Sequence, residues 1–236
     1  KESGDVLAGD ADPHELLQPK GWAARGAFDP EERSRVLDAF GFRAQFVFPT
    51  FAGTQFAGDD LDLLYGGTDA LNRAMAAFCE HDDRLLAVGV LQWRDPERTL
   101  AAARTAIDAG CVALQVFTDL PRGVKSPTHP DHRPVWALLE ERNVPVLTHI
   151  GGGGRSIPRG YHDNGIEVTD LLGGGENIRA KDYMGVHHKS EIFWAAMILD
   201  GVLDQFPGLR GASVEEGALW VPSWLRRLDL AVRSFS

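Results

Sequence analysis

The stretch "VPVLTHIGGGGR", residues 144–155, places one histidine at the end of an apolar run and four glycines directly after it. A short continuous apolar run is typical of a strand buried in a parallel sheet. The histidine, His149, would then lie at the carboxyl end of that strand, where α/β barrels carry their active sites. The stretch therefore predicts a parallel α/β protein. It leaves two alternatives for the chemistry, a metal ligand at a barrel mouth or a phosphate-binding turn.

Working outward from this run, further strand and helix patterns alternate along the chain. The other strand patterns are residues 44–48, 85–91, 112–117 and, more weakly, 209–215. The helical patterns are residues 68–82, 95–110, 133–143 and 187–206, with a last helix after Pro222. Asp95 and Pro96 are typical of a helix start, and Gly110 of a helix end. This order implies parallel strands joined by right-handed crossovers, in a barrel or an open doubly wound sheet.

The widest gap between these patterns covers residues 151–186, which are rich in glycine and lack periodicity. A connection of that length inside a compact domain is usually functional or disordered. Over the carboxyl ends of barrel strands it would form a lid. No linker divides the chain, so we expect one domain over residues 1–236.

Composition excludes several classes of partner. A formal net charge of −10 argues against binding to nucleic acid or to an anionic membrane surface. Two isolated cysteines form no disulfide framework, which indicates a reducing compartment. The amino terminus lacks the apolar core of a signal peptide, and apolar runs of seven residues are too short to span a bilayer. We therefore expect a cytoplasmic protein.

The glycines fit a phosphate site poorly. A P-loop ends in Gly-Lys-Ser/Thr, and "GGGGRSIP" has no such lysine. The dinucleotide fingerprint needs a third glycine where Ser156 stands, and Pro158 follows without a helical pattern. The glycines more plausibly let the chain turn sharply and lie close to a ligand. The sequence favours the metal alternative for His149.

A catalytic metal needs about three protein ligands, so His149 needs companions. The alternative is a histidine satisfied by backbone hydrogen bonds. His187 and His188 begin the long helix after the glycine-rich gap and could reach the same mouth, although neighbours on a helix diverge by about 100°. They are candidate substrate-binding residues, or ordinary polar residues of a first helical turn.

The carboxylate pair Glu215–Glu216 ends the last predicted strand. Because successive strand residues face opposite ways, one side chain would point into the barrel and the other toward the helices. A buried glutamate needs a metal, a cation or a proton relay as partner. One of the two is therefore a candidate catalytic acid or base, and a glutamate bonded to a neighbouring loop is the alternative.

Three segments, taken together, resemble the amidohydrolase-related family that includes aminocarboxymuconate-semialdehyde decarboxylase. They are "GAFDPEERSRVLDAFGFRAQFVFPTFA" (26–52), "HPDHRPVWALLEERNVPVLTHIG" (129–151) and "GVLDQFPGLRGASVEEGALWVPSWLRRLD" (201–229). The resemblance implies a distorted (β/α)8 barrel with one divalent metal ion, commonly zinc, with manganese as an alternative. It also implies decarboxylation or hydrolysis of small, often aromatic-derived carboxylic acids. His149 matches the family's ligand on the fifth strand.

The chain departs from the family pattern at three places. No segment matches the ligand pair of the family's first strand, and the aspartate of its eighth strand has no counterpart. Glu215 or Glu216 stands where the family often has a catalytic histidine. Five strands cannot close a barrel, so we expect the sequence to lack the first and last strands of a longer protein.

The sequence thus predicts a metal-dependent hydrolase or decarboxylase acting on a small carboxylate or ring-derived substrate. The alternative is a barrel that has lost its metal ligands and serves as a binding or structural protein. Trp220 and Trp224 are candidates for a homodimer interface, or for packing beneath the barrel.

Overall fold

A computed structural model describes residues 24–49, 52–151, 157–167 and 179–235. In these residues five parallel strands form one sheet, in which each strand pairs with the next along the chain. The strands are β1 Gln45–Val47, β2 Leu85–Leu91, β3 Ala113–Val116, β4 Val146–His149 and β5 Gly211–Val214. The parallel arrangement predicted from the alternating patterns is confirmed.

Helices connect the strands. They are α1 Pro30–Phe40, α2 Leu61–Cys79, α3 Pro96–Ala109, α4 Arg133–Glu141, α5 Ala180–Tyr183, α6 His188–Leu199, α7 Val202–Gln205 and α8 Val221–Phe235. Short 3-10 turns cover Ala52–Thr54, Pro130–His132 and Arg159–Tyr161. An aspartate caps each of the first three helices, Asp29, Asp60 and Asp95, by accepting hydrogen bonds from backbone N–H groups of the first turn. Within the described residues, no helix combines the length and apolar character needed to cross a membrane.

Two predicted helix boundaries are wrong. The helix predicted over 68–82 starts seven residues earlier, at Leu61, because Asp60 caps it, and it ends at Cys79. The helix predicted over 187–206 is interrupted between Leu199 and Val202, where Gly201 has a φ of 73°. That left-handed conformation ends α6 and starts the short α7 at a new angle.

The two faces of the sheet pack against different partners. Side chains from alternate positions of β2, β3 and β4 join the helices in the main hydrophobic core, among them Leu91, Leu114 and Val146. The other positions form a second, smaller cluster of Val88, Ala113 and Leu147, with Phe48 packed against it. We call the side of this second cluster the interior face of the sheet.

The sheet curls around its interior face. The Phe48 side chain, just after β1, contacts the His149 ring at the end of β4, with 4.7 Å between ring centroids. In a flat sheet, strands three places apart are separated by roughly 14 Å, because neighbouring strands lie about 4.8 Å apart. The contact therefore requires inward curvature, and the described strands form a half-barrel.

A side chain takes the place of a strand where β1 ends. The last paired residue of β1 is Val47, opposite Ala87, so the edge of β2 beyond this point has no strand beside it. Asn72 of α2 makes the hydrogen bonds that a neighbouring strand would make. Its Oδ1 accepts from the Val90 N–H (2.7 Å), and its Nδ2 donates to the Val90 carbonyl (3.0 Å). Asn72 is fully buried, so these bonds satisfy backbone groups that water cannot reach.

On the helix side of the sheet, Trp194 of α6 lies across β4 and β5. Its Nε1 lies 3.3 Å from Thr148 Oγ1 and 3.1 Å from Ser213 Oγ, and these hydroxyls are 2.9 Å apart. A Cβ atom built on Gly211 would lie only 2.0 Å from the indole ring. Glycine at the start of β5 is therefore required for the close approach of this ring.

Two parts of the predicted lid are described, and they contact each other. The His162 Nε2 atom lies 3.2 Å from Asp182 Oδ1, and Lys181 donates to the Tyr161 carbonyl at 2.6 Å. Residues 152–156, which include the predicted glycine hinge, and residues 168–178 lie outside the described part of the chain.

Candidate functional site

His149 stands at the carboxyl end of β4, as the sequence predicts. Its Nδ1 lies 2.9 Å from the Ile150 carbonyl oxygen, and because a carbonyl only accepts, Nδ1 carries the proton. In the neutral ring, Nε2 then keeps its lone pair. Nε2 lies 3.7 Å from Glu215 Oε2, and the imidazole is about one-fifth exposed. The backbone therefore satisfies one ring nitrogen and leaves the other available to a ligand.

This tautomer is the one that a metal-binding histidine needs, since the nitrogen that does not bind the metal usually donates to a carbonyl or carboxylate. A catalytic zinc ion needs about three protein ligands. Among the described residues, no three histidine, cysteine, aspartate or glutamate side chains lie close enough together to hold a metal ion. The described residues thus fit one metal ligand, His149, without the set that would complete a site.

Glu215 follows β5 directly and has a backbone φ of 61°, a conformation that non-glycine residues rarely adopt. This turn ends the strand and directs the Glu215 side chain toward His149, with 64% of the side chain exposed. The glutamate therefore lies at an open mouth, where it can reach a molecule bound near His149.

Glu216 is buried and faces α6. Its Oε1 accepts a hydrogen bond from Ser190 Oγ at 2.6 Å, while its buried Oε2 has no hydrogen-bond partner among the described residues. Burial raises the pKa of Glu216, and the hydroxyl groups of Ser190 and Ser213 oppose this shift. The two glutamates thus differ in environment, with Glu216 shielded from water and Glu215 open to it.

His187 and His188 lie at the start of α6, within one turn of Ser190 and therefore near the end of β5. The His187 ring stacks on Trp220 at 5.8 Å, and its Nε2 is 3.5 Å from Glu191 Oε1. Burial lowers the pKa of His187, and Glu191 opposes the shift. His188 is exposed and packs edge-on against His187. The substrate-binding role of both histidines stays a prediction.

Trp220 and Trp224 pack within the chain. Trp220 covers His187, and Trp224 Nε1 donates to the Glu191 carbonyl at 3.2 Å. The Glu191 carboxylate is buried and pairs with Arg227 of α8 at 2.6 Å. These contacts attach α8 to the start of α6. The homodimer stays a prediction.

Four residues near the site were missed in the sequence. Phe48 contacts His149, Ser190 bonds to Glu216, and Gln92 and Gln115 are buried at the end of β2 and within β3. The glutamines carry a signal in the sequence, since each interrupts an apolar run. Ser190 and Phe48 carry none, because their roles depend on how distant elements pack.

The half-barrel resembles solved structures of amidohydrolases. An amidohydrolase from Mycobacterium avium subsp. paratuberculosis superposes with a TM-score of 0.67 and 22% identity, over 89% of this chain and 53% of that one. For a 2,6-dihydroxybenzoate decarboxylase from Rhizobium the TM-score is 0.61 and the identity 20%, over 83% of this chain and 58% of that one. A third structure is a 5-carboxyvanillate decarboxylase from Novosphingobium aromaticivorans, complexed with manganese and a nitrobenzoic acid. Its TM-score is 0.63 and its identity 23%, over 86% of this chain and 54% of that one.

At these identities the likeness establishes the fold alone, and the chain spans little more than half of each of the three structures. No curated protein matches the sequence significantly. The sequence profile of one family does match, and it covers residues 10–231 of the 236. On the strength of that match over nearly its whole length, the chain belongs to the amidohydrolase family.

Proposed function

We propose that the protein is a metal-dependent hydrolase or decarboxylase, acting on a small carboxylate or ring-derived substrate at the mouth of a distorted (β/α)8 barrel. One observation carries the proposal: His149 ends an inner strand of the half-barrel, its Nδ1 is fixed by the backbone, and its Nε2 faces the open mouth beside Glu215. A divalent ion, which we expect to be zinc or manganese, would supply Lewis-acid chemistry at this point. Its remaining ligands would come from outside the described residues.

In this proposal Glu216 is the acid or base that exchanges a proton during the reaction. A carboxyl group whose pKa is raised by burial keeps a proton closer to neutral pH than an exposed carboxyl group does. Ser190 donates to Oε1, which leaves Oε2 to carry the proton. Glu215, exposed beside His149, would contact the substrate or its bound water at the mouth.

His187 and His188 would bind the substrate from the start of α6, and residues 151–186 would form the lid. We also keep as proposals the single domain, the homodimer and the cytoplasmic location that we infer from the sequence.

A second candidate is a barrel that binds small molecules without turnover. It is supported by the lack of a three-ligand cluster among the described residues and by glutamates where the family often has a histidine. The two candidates differ in metal content and in turnover.

The first experiment measures metal content by elemental mass spectrometry on the natural protein and on His149→Ala. We expect about one zinc or manganese ion per chain, lost in the variant. His81→Ala, at an exposed histidine in the turn before β2, is the matched control and should keep its metal. No metal in the folded natural protein, or full occupancy in His149→Ala, would refute this assignment.

The second experiment measures turnover of a panel of aromatic carboxylates and lactones. We expect Glu216→Gln to lose activity about 100-fold or more, the usual contribution of a general acid or base. Glutamine can still accept the Ser190 hydrogen bond through its carbonyl oxygen, so the fold should be kept. Full activity in Glu216→Gln would remove Glu216 from the proposal.

A further inference from the structure

Two uncharged polar side chains are buried in the half-barrel, and neither takes part in the contacts of His149, Glu215 and Glu216 described above. Gln92 directly follows β2 and is 9% exposed, and Gln115 lies within β3 and is 6% exposed. No hydrogen bond joins either side chain to another described residue. A polar side chain is unusual in the buried, apolar strands of a parallel sheet, so two of them on neighbouring strands call for an explanation.

Both side chains face the interior. Gln115 lies between Leu114 and Val116, which both pack in the main core on the helix side. Because successive strand residues face opposite ways, Gln115 points to the other side. The same argument applies to Gln92, whose neighbours Leu91 and Trp93 also belong to the main core.

The strand register brings the two amides to one region of the interior. Gln115 is opposite Val90 of β2, two residues before Gln92. On its other side Gln115 is opposite Leu147, two residues before His149. The glutamines therefore lie along the same inner wall that leads up to His149.

The rest of this wall is apolar and aromatic. Phe48 packs on the interior cluster of Val88, Ala113 and Leu147, and it also contacts the His149 ring. A flat ring bound beside His149 would lie against the wall that carries Phe48, Gln92 and Gln115. An amide both donates and accepts hydrogen bonds but carries no charge, so it suits a neutral oxygen substituent better than a carboxylate.

We propose that Gln92 and Gln115 recognise a neutral hydrogen-bonding substituent, such as a hydroxyl group, on the ring of the substrate. This inference rests on the proposed function, because it places a ring-derived substrate at His149. It assigns the glutamines to specificity, and no chemical step depends on them.

The test compares the natural protein with Gln92→Leu and Gln115→Leu, measuring melting temperature and ligand binding by calorimetry. The probes are 2-, 3- and 4-hydroxybenzoate, each against the methylbenzoate of the same substitution. We expect the natural protein to bind at least one hydroxybenzoate about tenfold more tightly than its methyl counterpart, and each leucine variant to lose that preference. The melting temperature should not fall, because leucine removes no hydrogen bond to a described residue.

Gln45→Leu is the matched control. This glutamine lies on β1 and has a protein partner, since Arg33 Nη1 donates to its Oε1 at 3.5 Å. We expect this variant to keep the hydroxyl preference. The proposal is overturned if the natural protein prefers none of the hydroxybenzoates, if the preference survives in either leucine variant, or if either variant melts well below Gln45→Leu. The assay reads neither metal nor turnover, so a preserved preference in an inactive protein would refute the enzyme while supporting the recognition site.

Discussion

Replacing Asn72 with alanine should destabilise the protein by more than any loss of packing would explain. The asparagine amide is the partner of both backbone groups of Val90, at the point where β1 no longer pairs with β2. In Asn72→Ala these two groups stay buried behind α2 and lose their partners. The variant therefore tests whether a side chain substitutes for a strand at this edge.

The magnitude follows from the two groups. A buried backbone donor or acceptor left without a partner costs about 1–3 kcal/mol, so the pair should cost about 2–6 kcal/mol. For a chain of this size, 1 kcal/mol lowers the melting temperature by about 2–4 °C. The free energy of unfolding of a domain is only about 5–15 kcal/mol, so the variant should be folded but clearly weakened.

Urea unfolding followed by circular dichroism gives the free energy directly. Thr68→Val is the matched control, because Thr68 is equally buried one turn earlier in α2. Among the described residues its hydroxyl bonds only to the Leu64 carbonyl of the same helix. Its cost should stay below about 1 kcal/mol, since no strand group loses a partner. If Asn72→Ala costs no more than Thr68→Val, the reasoning about the strand edge is wrong.

Two further predictions concern stability. Gly211→Ala should cost at least about 1–3 kcal/mol, because its Cβ atom would overlap the Trp194 ring; Gly160→Ala, with open space around it, is the control in the same urea assay. The protein should also lose stability as the pH falls from 7.5 to 5.5, because burial lowers the pKa of His132. In the unfolded chain His132 takes up a proton near pH 6.5, whereas in the folded chain it does so only at a lower pH. Its neutral form therefore stabilises the fold fully above pH 6.5, and this stabilisation is lost as the pH falls below that value. His132→Phe should flatten the pH dependence, and an unchanged slope would contradict the assignment.

Elements whose signals are local were predicted well from the sequence. The strand predicted over 85–91 matches β2 residue for residue, because polar residues on both sides of the continuous apolar run mark where the strand begins and ends. The helix from Asp95 to Gly110 is confirmed as α3, because its cap, first proline and final glycine lie within the segment itself.

The boundaries that failed depend on distant contacts. The first turns of α2 contain Gly66 and Gly67, which read as a break in the helical pattern. The structure gives the reason for the second glycine: a Cβ atom on Gly67 would lie 2.5 Å from the Phe56 ring, so its presence reflects packing and not a turn. No local rule distinguishes these two origins of a glycine.

In the candidate site, too, some features follow from local sequence signals and others from contacts between distant elements. The position of His149 follows from the end of its apolar run. The opposed directions of Glu215 and Glu216 come instead from the turn at Glu215, with a φ of 61°, because β5 ends at Val214, before both glutamates. Which glutamate is buried depends on Ser190, 26 residues away in sequence. Gln92 and Gln115 could be noticed as polar residues in apolar strands, but only the curl of the sheet shows that they face an interior.

The indole of Trp194 has a practical consequence for studying this site. Its N–H lies between the hydroxyl groups of Thr148 on β4 and Ser213 on β5, and Thr148 directly precedes His149. Any ligand that spreads or tightens these strands must change the hydrogen bonding of that single proton. The indole resonance in a nuclear magnetic resonance spectrum is therefore a label-free reporter of ligand arrival, present in the natural protein.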